Sequence, residues 1–243
     1  MDQMSEKGDK CEICGKDLIY AISQEEYKDL NCIYCKIQFS ANVYCPDDHF
    51  ICDSCHSRDI IKVMKKFCET SKLKDPFMIA DCLMKHPNFK VYGPEHHILT
   101  PLAILTALKN NEIKKPNGEE ISSKDLTEAI IRASRIPGGW CGFYGSCGAG
   151  MGSGVAISIF TGATPATNKP RTLANQMTAK SLVKIADNLE HCCKRSVKIS
   201  ISESLKFLKE KFGIELDFTP DRCAFSGIND KCEKEKCPFF KTL

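Results

Sequence analysis

The stretch FICDSCHSRDIIKVMKKF sets Ile60, Ile61, Met64 and Phe67 on one face of an amphipathic helix. Asp75-Pro76 then supplies a cap and a proline at the first helical position, and FMIADCLMKH carries the helix to Pro87. Thr100-Pro101 opens LAILTALKNN, and Ser122 with Asp125 forms a capping-box-like start for LTEAIIRASRI, which Pro137 stops. A long helix is predicted over 173–191, and another from Ser202 through ESLKFLKEKF to Gly213. Strand candidates are few, at 89–92 and 197–201. The pattern predicts an α+β chain: a small treble-clef or cross-brace module over 1–73, then a mainly α-helical domain over 74–243.

Composition narrows the class. At 243 residues, 42% hydrophobic and 27% charged, the chain is long enough for one large or two modest globular domains. The net charge of +3 is too small to imply a partner, but its distribution is uneven. Residues 1–90 carry 13 Lys+Arg against 15 Asp+Glu, a poor surface for reading nucleic acid. Residues 169–211 carry ten basic and four acidic side chains. That stretch could receive an anionic substrate such as RNA or a phosphate-bearing cofactor, or be a solvated helix face. The most apolar run, 155–163, is too short and too rich in Gly, Ser and Thr to span a bilayer. With the polar opening MDQMSEKGDK, this points to a cytoplasmic protein without a membrane partner.

Sixteen cysteines change the picture most. In a reducing compartment so many thiols read as metal ligands or reactive groups rather than disulfides. The first come in pairs: Cys11-x2-Cys14, Cys32-x2-Cys35, Cys45-x3-His49 and Cys52-x2-Cys55. Four ligand pairs make two tetrahedral zinc sites. A CxxC knuckle, a hairpin and a CxxC opening a helix would join Cys32, Cys35, Cys52 and Cys55. Cys11, Cys14, Cys45 and His49 would form the second site, although sequential pairing of neighbours is an alternative. So short and polar a segment needs the metal to fold.

Residues 137–154, PGGWCGFYGSCGAGMGSG, hold eight of the fifteen glycines, the only tryptophan, and Cys141 and Cys147. The stretch is neither G-x-G-x-x-G with an acidic partner nor a P-loop, since the lysine is missing. A glycine run opening a helix presents free N–H groups and favours a nearby thiolate, which makes Cys141 and Cys147 catalytic candidates. The alternative is close helix packing. His96 and His97 follow Glu95 on a turn, and His97 is carried as an acid/base candidate.

HCCKR places Cys192 and Cys193 together, and CAFSGINDKCEKEKCPFF adds Cys223, Cys232 and Cys237. The closing Cys-Pro matches the end of ferredoxin cysteine runs, although the x8 and x4 spacings do not. The expected cofactor is a [4Fe–4S] cluster on Cys223, Cys232, Cys237 and one of Cys192 or Cys193, with a third structural zinc as the alternative.

Taken together, IPGGWCGFYGSCGAGMGSGVAISIFTGATP, HCCKR and the CPF-terminated cysteine run resemble an uncharacterised cysteine-rich family of methanogenic archaea and anaerobic bacteria. The resemblance spans about 85–241 plus the metal module. It implies an anaerobic, cluster-tolerant setting beside radical-SAM or methyltransferase proteins, and no particular reaction. Two functions follow. One is an iron–sulfur enzyme, or enzyme partner, for sulfur transfer or redox chemistry. The other is a non-catalytic zinc-binding module that docks onto a methyltransferase, a radical enzyme or nucleic acid.

Overall fold

The computed structural model describes residues 11, 14, 16–31, 37–50, 52, 58–86, 88–186, 189–219 and 222–240. The chain divides into two units, Met1–Arg58 and Asp59–Leu243.

In the first unit, β1 (Ile19–Tyr20) pairs antiparallel with β4 (Val43–Tyr44), and β2 (Lys28–Asn31) with β3 (Gln38–Ala41). Lys28 stands opposite Ala41. Among the described residues its buried apolar side chains are small ones such as Ala21, Leu30 and Ala41, while Ile22 is 89% exposed. Such a core is too thin to hold the hairpins by itself.

The second unit is a helical bundle. Its helices are α1 (Arg58–Thr70), α2 (Pro76–Met84), α3 (Glu95–Asn110), α4 (Ser123–Ala133), α5 (Trp140–Phe143), α6 (Gly148–Phe160), α7 (Asn168–Ile185) and α8 (Cys193–Phe212). The expected boundary at 73 falls on the wrong side of α1. That helix buries Ile60, Met64 and Cys68 in the same core as Phe77, Leu83 and Leu105, so it belongs to the bundle. Asp75 caps α2 by accepting from the N–H groups of Phe77 and Met78 at 2.8 and 3.4 Å. Asp125 closes the box at the start of α4 by accepting from the Ser122 N–H at 2.7 Å.

Helix α3 is the axis, with thirteen of its sixteen residues buried, and it starts at Glu95 rather than at Thr100. Pro101 therefore lies inside it and offers no N–H to the carbonyl of His97. Helix α6 leans into that notch. A Cβ on Gly152 would stand 2.7 Å from the His97 carbonyl oxygen and 2.9 Å from Pro101 Cδ. On the other face of α6, Gly154 meets the Ala174 carbonyl and Thr178 of α7, and Gly150 meets Leu182. The glycines of α6 are thus what lets one helix pass closely between two others.

Both strand candidates fail. Residues 89–92 form bends, and 197–201 lie inside α8. The alternation VKISI is local, whereas over twenty residues Val197, Ile201, Ser204 and Leu208 make a buried helical stripe. Ser200 and Ser204 bond back to carbonyls four residues earlier, both at 2.7 Å, so burying them leaves no hydroxyl unpaired. Ser202 accordingly caps nothing. Helix α7 ends at Ile185, short of the expected 191, and α8 ends at Gly213 with φ 67°. Among the described residues no helix is long and apolar enough to cross a membrane.

Candidate metal centres

In the first unit, Cys11, Cys14, Cys45 and His49 bring their ligand atoms within 4.8 Å of one another. Cys14 and Cys45 sulfurs lie 3.4 Å apart, and His49 Nδ1 stands 3.6 Å from Cys45 Sγ and 3.8 Å from Cys11 Sγ. Four donors around one ion with Zn–S bonds of about 2.3 Å would be separated by roughly 3.7 Å, so the set fits a single tetrahedral ion such as zinc. The Asp47 N–H points at Cys45 Sγ from 3.4 Å. The first ligand pair thus meets the third. Cys32, Cys35 and Cys55 of the other expected site lie outside the described residues, and Cys52 is buried.

In the second unit, Cys192, Cys223, Cys232 and Cys237 line one cavity. Every sulfur has an N–H aimed at it. Arg195 N–H and the Asn229 amide reach Cys192 at 3.4 Å, Phe225 N–H reaches Cys223 at 3.3 Å, and Lys234 N–H reaches Cys232 at 3.4 Å. The Phe239 N–H serves Cys237. Cys192 is also the N-cap of the twenty-residue α8, where the helix dipole favours negative charge. Lys194, Arg195 and Lys198 of α8 line the same cavity, as do Phe225, Phe239 and Phe240.

Electrostatics in the cavity run in two directions. Burial pushes the Cys223 and Cys237 thiols up, while N–H groups and the cations of Lys198 and Arg195 pull them down. Burial pushes Lys194 down, and Glu95, Cys192, Cys193 and Cys223 hold it up. Lys198 is anchored by Asp81, 2.7 Å away.

Cys193, next to Cys192, does not line that cavity. Its Sγ lies 3.6 Å from His191 Nε2, and Cys141 Sγ approaches the same nitrogen to 3.9 Å. Desolvation pushes the Cys141 thiol up, with Cys147 adding to it, although the residue as a whole is exposed. That is the opposite of an activated nucleophile. Cys147 is the N-cap of α6. His97 Nδ1 sits 3.1 Å from the Ile136 carbonyl, and its ring packs over Gly148, the residue after Cys147. Among the described residues no set of three such ligand atoms outside the first unit falls within 4.8 Å.

A family described as of unknown function (DUF5714) matches residues 64–240. The chain belongs to that family. No curated protein and no solved structure matches the chain. The span of the family takes in α2 to α8, the cavity cysteines, and Cys141, Cys147 and Cys193.

The sequence reading missed His191 and the cations of the cavity. His191 directly precedes the Cys192–Cys193 pair, which is the signal that could have found it. The basic run at 169–211 divides in the structure. Lys194, Arg195 and Lys198 line the cysteine cavity, while Lys180, Lys206, Lys209 and Lys211 pair with glutamates.

Proposed function

We propose that this is an iron–sulfur redox protein whose [4Fe–4S] cluster is held by Cys192, Cys223, Cys232 and Cys237. The observation that supports it is the cavity itself: four sulfurs, each met by an N–H donor, with three cations around them. Sulfurs spread more widely than around a single ion suit a cluster, in which each cysteine binds a different iron. Four cysteines leave no iron open, so such a cluster carries electrons rather than binding substrate. N–H donors to sulfur and the neighbouring cations stabilise the reduced, more negative state. The Cys₃His set of the first unit takes zinc and holds its hairpins as a cross-braced docking surface. The partner in this reading is a radical or methyl-transfer enzyme that consumes single electrons, in a cytoplasmic, low-oxygen setting.

Anaerobic purification followed by iron, sulfide and zinc analysis and EPR of the dithionite-reduced protein tests this. The expected result is iron and sulfide beside zinc, with the reduced-cluster signal lost in Cys223→Ser and Cys237→Ser. Cys82→Ser, at an exposed position of α2, should keep it. Zinc alone, retained after reconstitution with iron and sulfide, would refute the cluster and leave the second reading, a zinc-bound docking module. That reading is supported by the compact Cys₃His set.

A further inference from the structure

Asn229 lines the four-cysteine cavity without offering a sulfur to it. The residue is 7% exposed, and both ends of its side-chain amide are bonded. Nδ2 donates to Cys192 Sγ at 3.4 Å, while Oδ1 accepts from the Lys231 N–H at 3.0 Å and from the Tyr92 hydroxyl. The two ends are not interchangeable. A backbone N–H can only donate, so the atom facing Lys231 is the oxygen and the NH₂ turns to the sulfur. The Asn229 carbonyl accepts from the Cys232 N–H at 3.1 Å, so the turn that this residue opens presents a second cavity cysteine. One buried side chain thus ties the ligand at the cap of α8 to a ligand of the carboxy-terminal segment.

Tyr92 reaches this amide from 137 positions earlier in the chain, in the segment between α2 and α3. Its ring stacks on the His191 imidazole with centroids 5.5 Å apart and planes 18° apart, and Lys231 Nζ stands 5.9 Å from the ring centre. These contacts hold the ring, and the ring aims the hydroxyl. Packing by itself does not ask for that hydroxyl, since a phenylalanine would stack on His191 equally well. What the hydroxyl adds is a second donor on Asn229 Oδ1. Two donors on the oxygen polarise the amide, which strengthens its N–H, and they resist rotation of the side chain. The backbone N–H groups of Arg195, Phe225 and Lys234 reach Cys192, Cys223 and Cys232 in directions that the chain itself fixes. A side-chain amide can swing away from its sulfur, and so it needs holding.

We propose that Tyr92 and Asn229 are positioning residues that raise the reduction potential of the centre, with Tyr92 acting through Asn229 on Cys192. The inference rests on the reading of the four cysteines as ligands of a [4Fe–4S] cluster. One-electron reduction by a donor such as dithionite adds negative charge that the ligand sulfurs share. An N–H bonded to a sulfur stabilises that charge, so the bond favours the reduced state and raises the potential. Without the Tyr92 hydroxyl the amide oxygen keeps one donor instead of two, the bond to Cys192 weakens, and the cluster becomes harder to reduce. Neither residue touches iron.

The test uses the full chain, reconstituted anaerobically with iron and sulfide, and reads the midpoint potential by EPR-monitored redox titration beside the iron content. Tyr92→Phe keeps the ring, and should hold parent-like iron at a midpoint shifted to lower potential. Asn229→Ala should shift it further, because the donor itself is gone. Adding Tyr92→Phe to Asn229→Ala should then shift it no further, as expected when one residue acts through the other. Should Asn229→Ala lose its iron, Asn229→Asp, which keeps the turn oxygen and replaces the donor, is expected to show the lower potential in its place. Tyr144→Phe, at a position 58% exposed after α5, should match the parent. A parent-like potential in Tyr92→Phe at full iron overturns the proposal, and so does a Tyr92→Phe shift that persists undiminished in the double variant. Iron lost from Tyr92→Phe, with the potential of the remaining cluster unchanged, would make the hydroxyl a scaffold alone and overturns it too. In all three cases the cluster reading stands, because each is measured on iron-loaded protein. A parent chain that takes up no iron overturns that reading, and this one with it.

Discussion

Gly152→Ala is the substitution whose sign the geometry decides most clearly. On propensity alone, glycine to alanine inside a helix gains about 1 kcal/mol. Position 152 allows no such gain. The new methyl carbon would stand 2.7 Å from the His97 carbonyl oxygen, 2.9 Å from Pro101 Cδ and 3.1 Å from Thr100 Cβ, where ordinary contact begins at 3.4 Å. A backbone carbonyl and a proline ring cannot rotate away, so α6 and α3 must separate by roughly half an ångström or more. Helix α6 cannot retreat, because Gly154 is already against the Ala174 carbonyl of α7. Overpacking of this kind costs about 1–3 kcal/mol, and where neither carbonyl nor ring can relax the upper end applies, which after the propensity gain leaves a net loss of about 2 kcal/mol. For a unit of this size that is a fall in Tm of about 4–8 °C. Trp140, the only tryptophan, lies in the helical unit and reports its unfolding in a urea or thermal titration. Gly142→Ala is the control, since nothing lies within 4 Å of its added carbon. It should be neutral or slightly stabilising. If Gly152→Ala matches or exceeds the parent, the helices do not pack as described.

Removing metal from the first unit should abolish its hairpins while the helical unit stays folded. Hydrogen exchange after treatment with a strong chelator should show protection lost over 16–31 and 37–50 and kept in α3, and unchanged protection in the first unit would contradict this. Glu95 is 1% exposed, and burial pushes its carboxyl up to about 7. Because the folded state holds that proton more tightly than the unfolded chain, its contribution is full below about pH 4.5 and is lost as pH rises toward 7. Glu95→Gln should therefore flatten that part of the stability profile and be more stable than the parent at pH 8. A parallel profile would rule this out. Burial holds His96, 3.8 Å from Glu95, well below its ordinary range, so His96 is neutral in both proteins at pH 8, where the comparison is read.

What the sequence revealed was what its local spacing determines. The capping box at Ser122 and Asp125, the Asp75-Pro76 start and the Gly213 stop each involve residues a few positions apart. The pairing of Cys11 and Cys14 with Cys45 and His49 was open to argument because each pair has a ligand's spacing. The strand expected at 197–201 failed because a five-residue window cannot separate period two from a buried helical stripe. The glycine stretch was ambiguous for another reason: whether a missing side chain serves a ligand or a neighbouring helix depends on what stands opposite, and α3 and α7 are far away in sequence. The divergence of Cys192 and Cys193 depends on a change of dihedrals at a cap, which no spacing records.

The order of the four cavity cysteines along the chain has a mechanical meaning. Cys192 caps α8, whereas Cys223, Cys232 and Cys237 sit in a segment whose one regular element, among the described residues, is a single turn at Lys234–Lys236. Once metal joins them, the centre acts as a cross-link that closes a ring from 192 to 237. By the loop-closure relation used for disulfides, a ring of that size is worth about 4 kcal/mol. On the proposed reading, the segment beyond α8 would be a strap whose buckle is the cofactor. Oxidative loss of the metal would release it, and a protease would read the occupancy of the site as directly as a spectrometer.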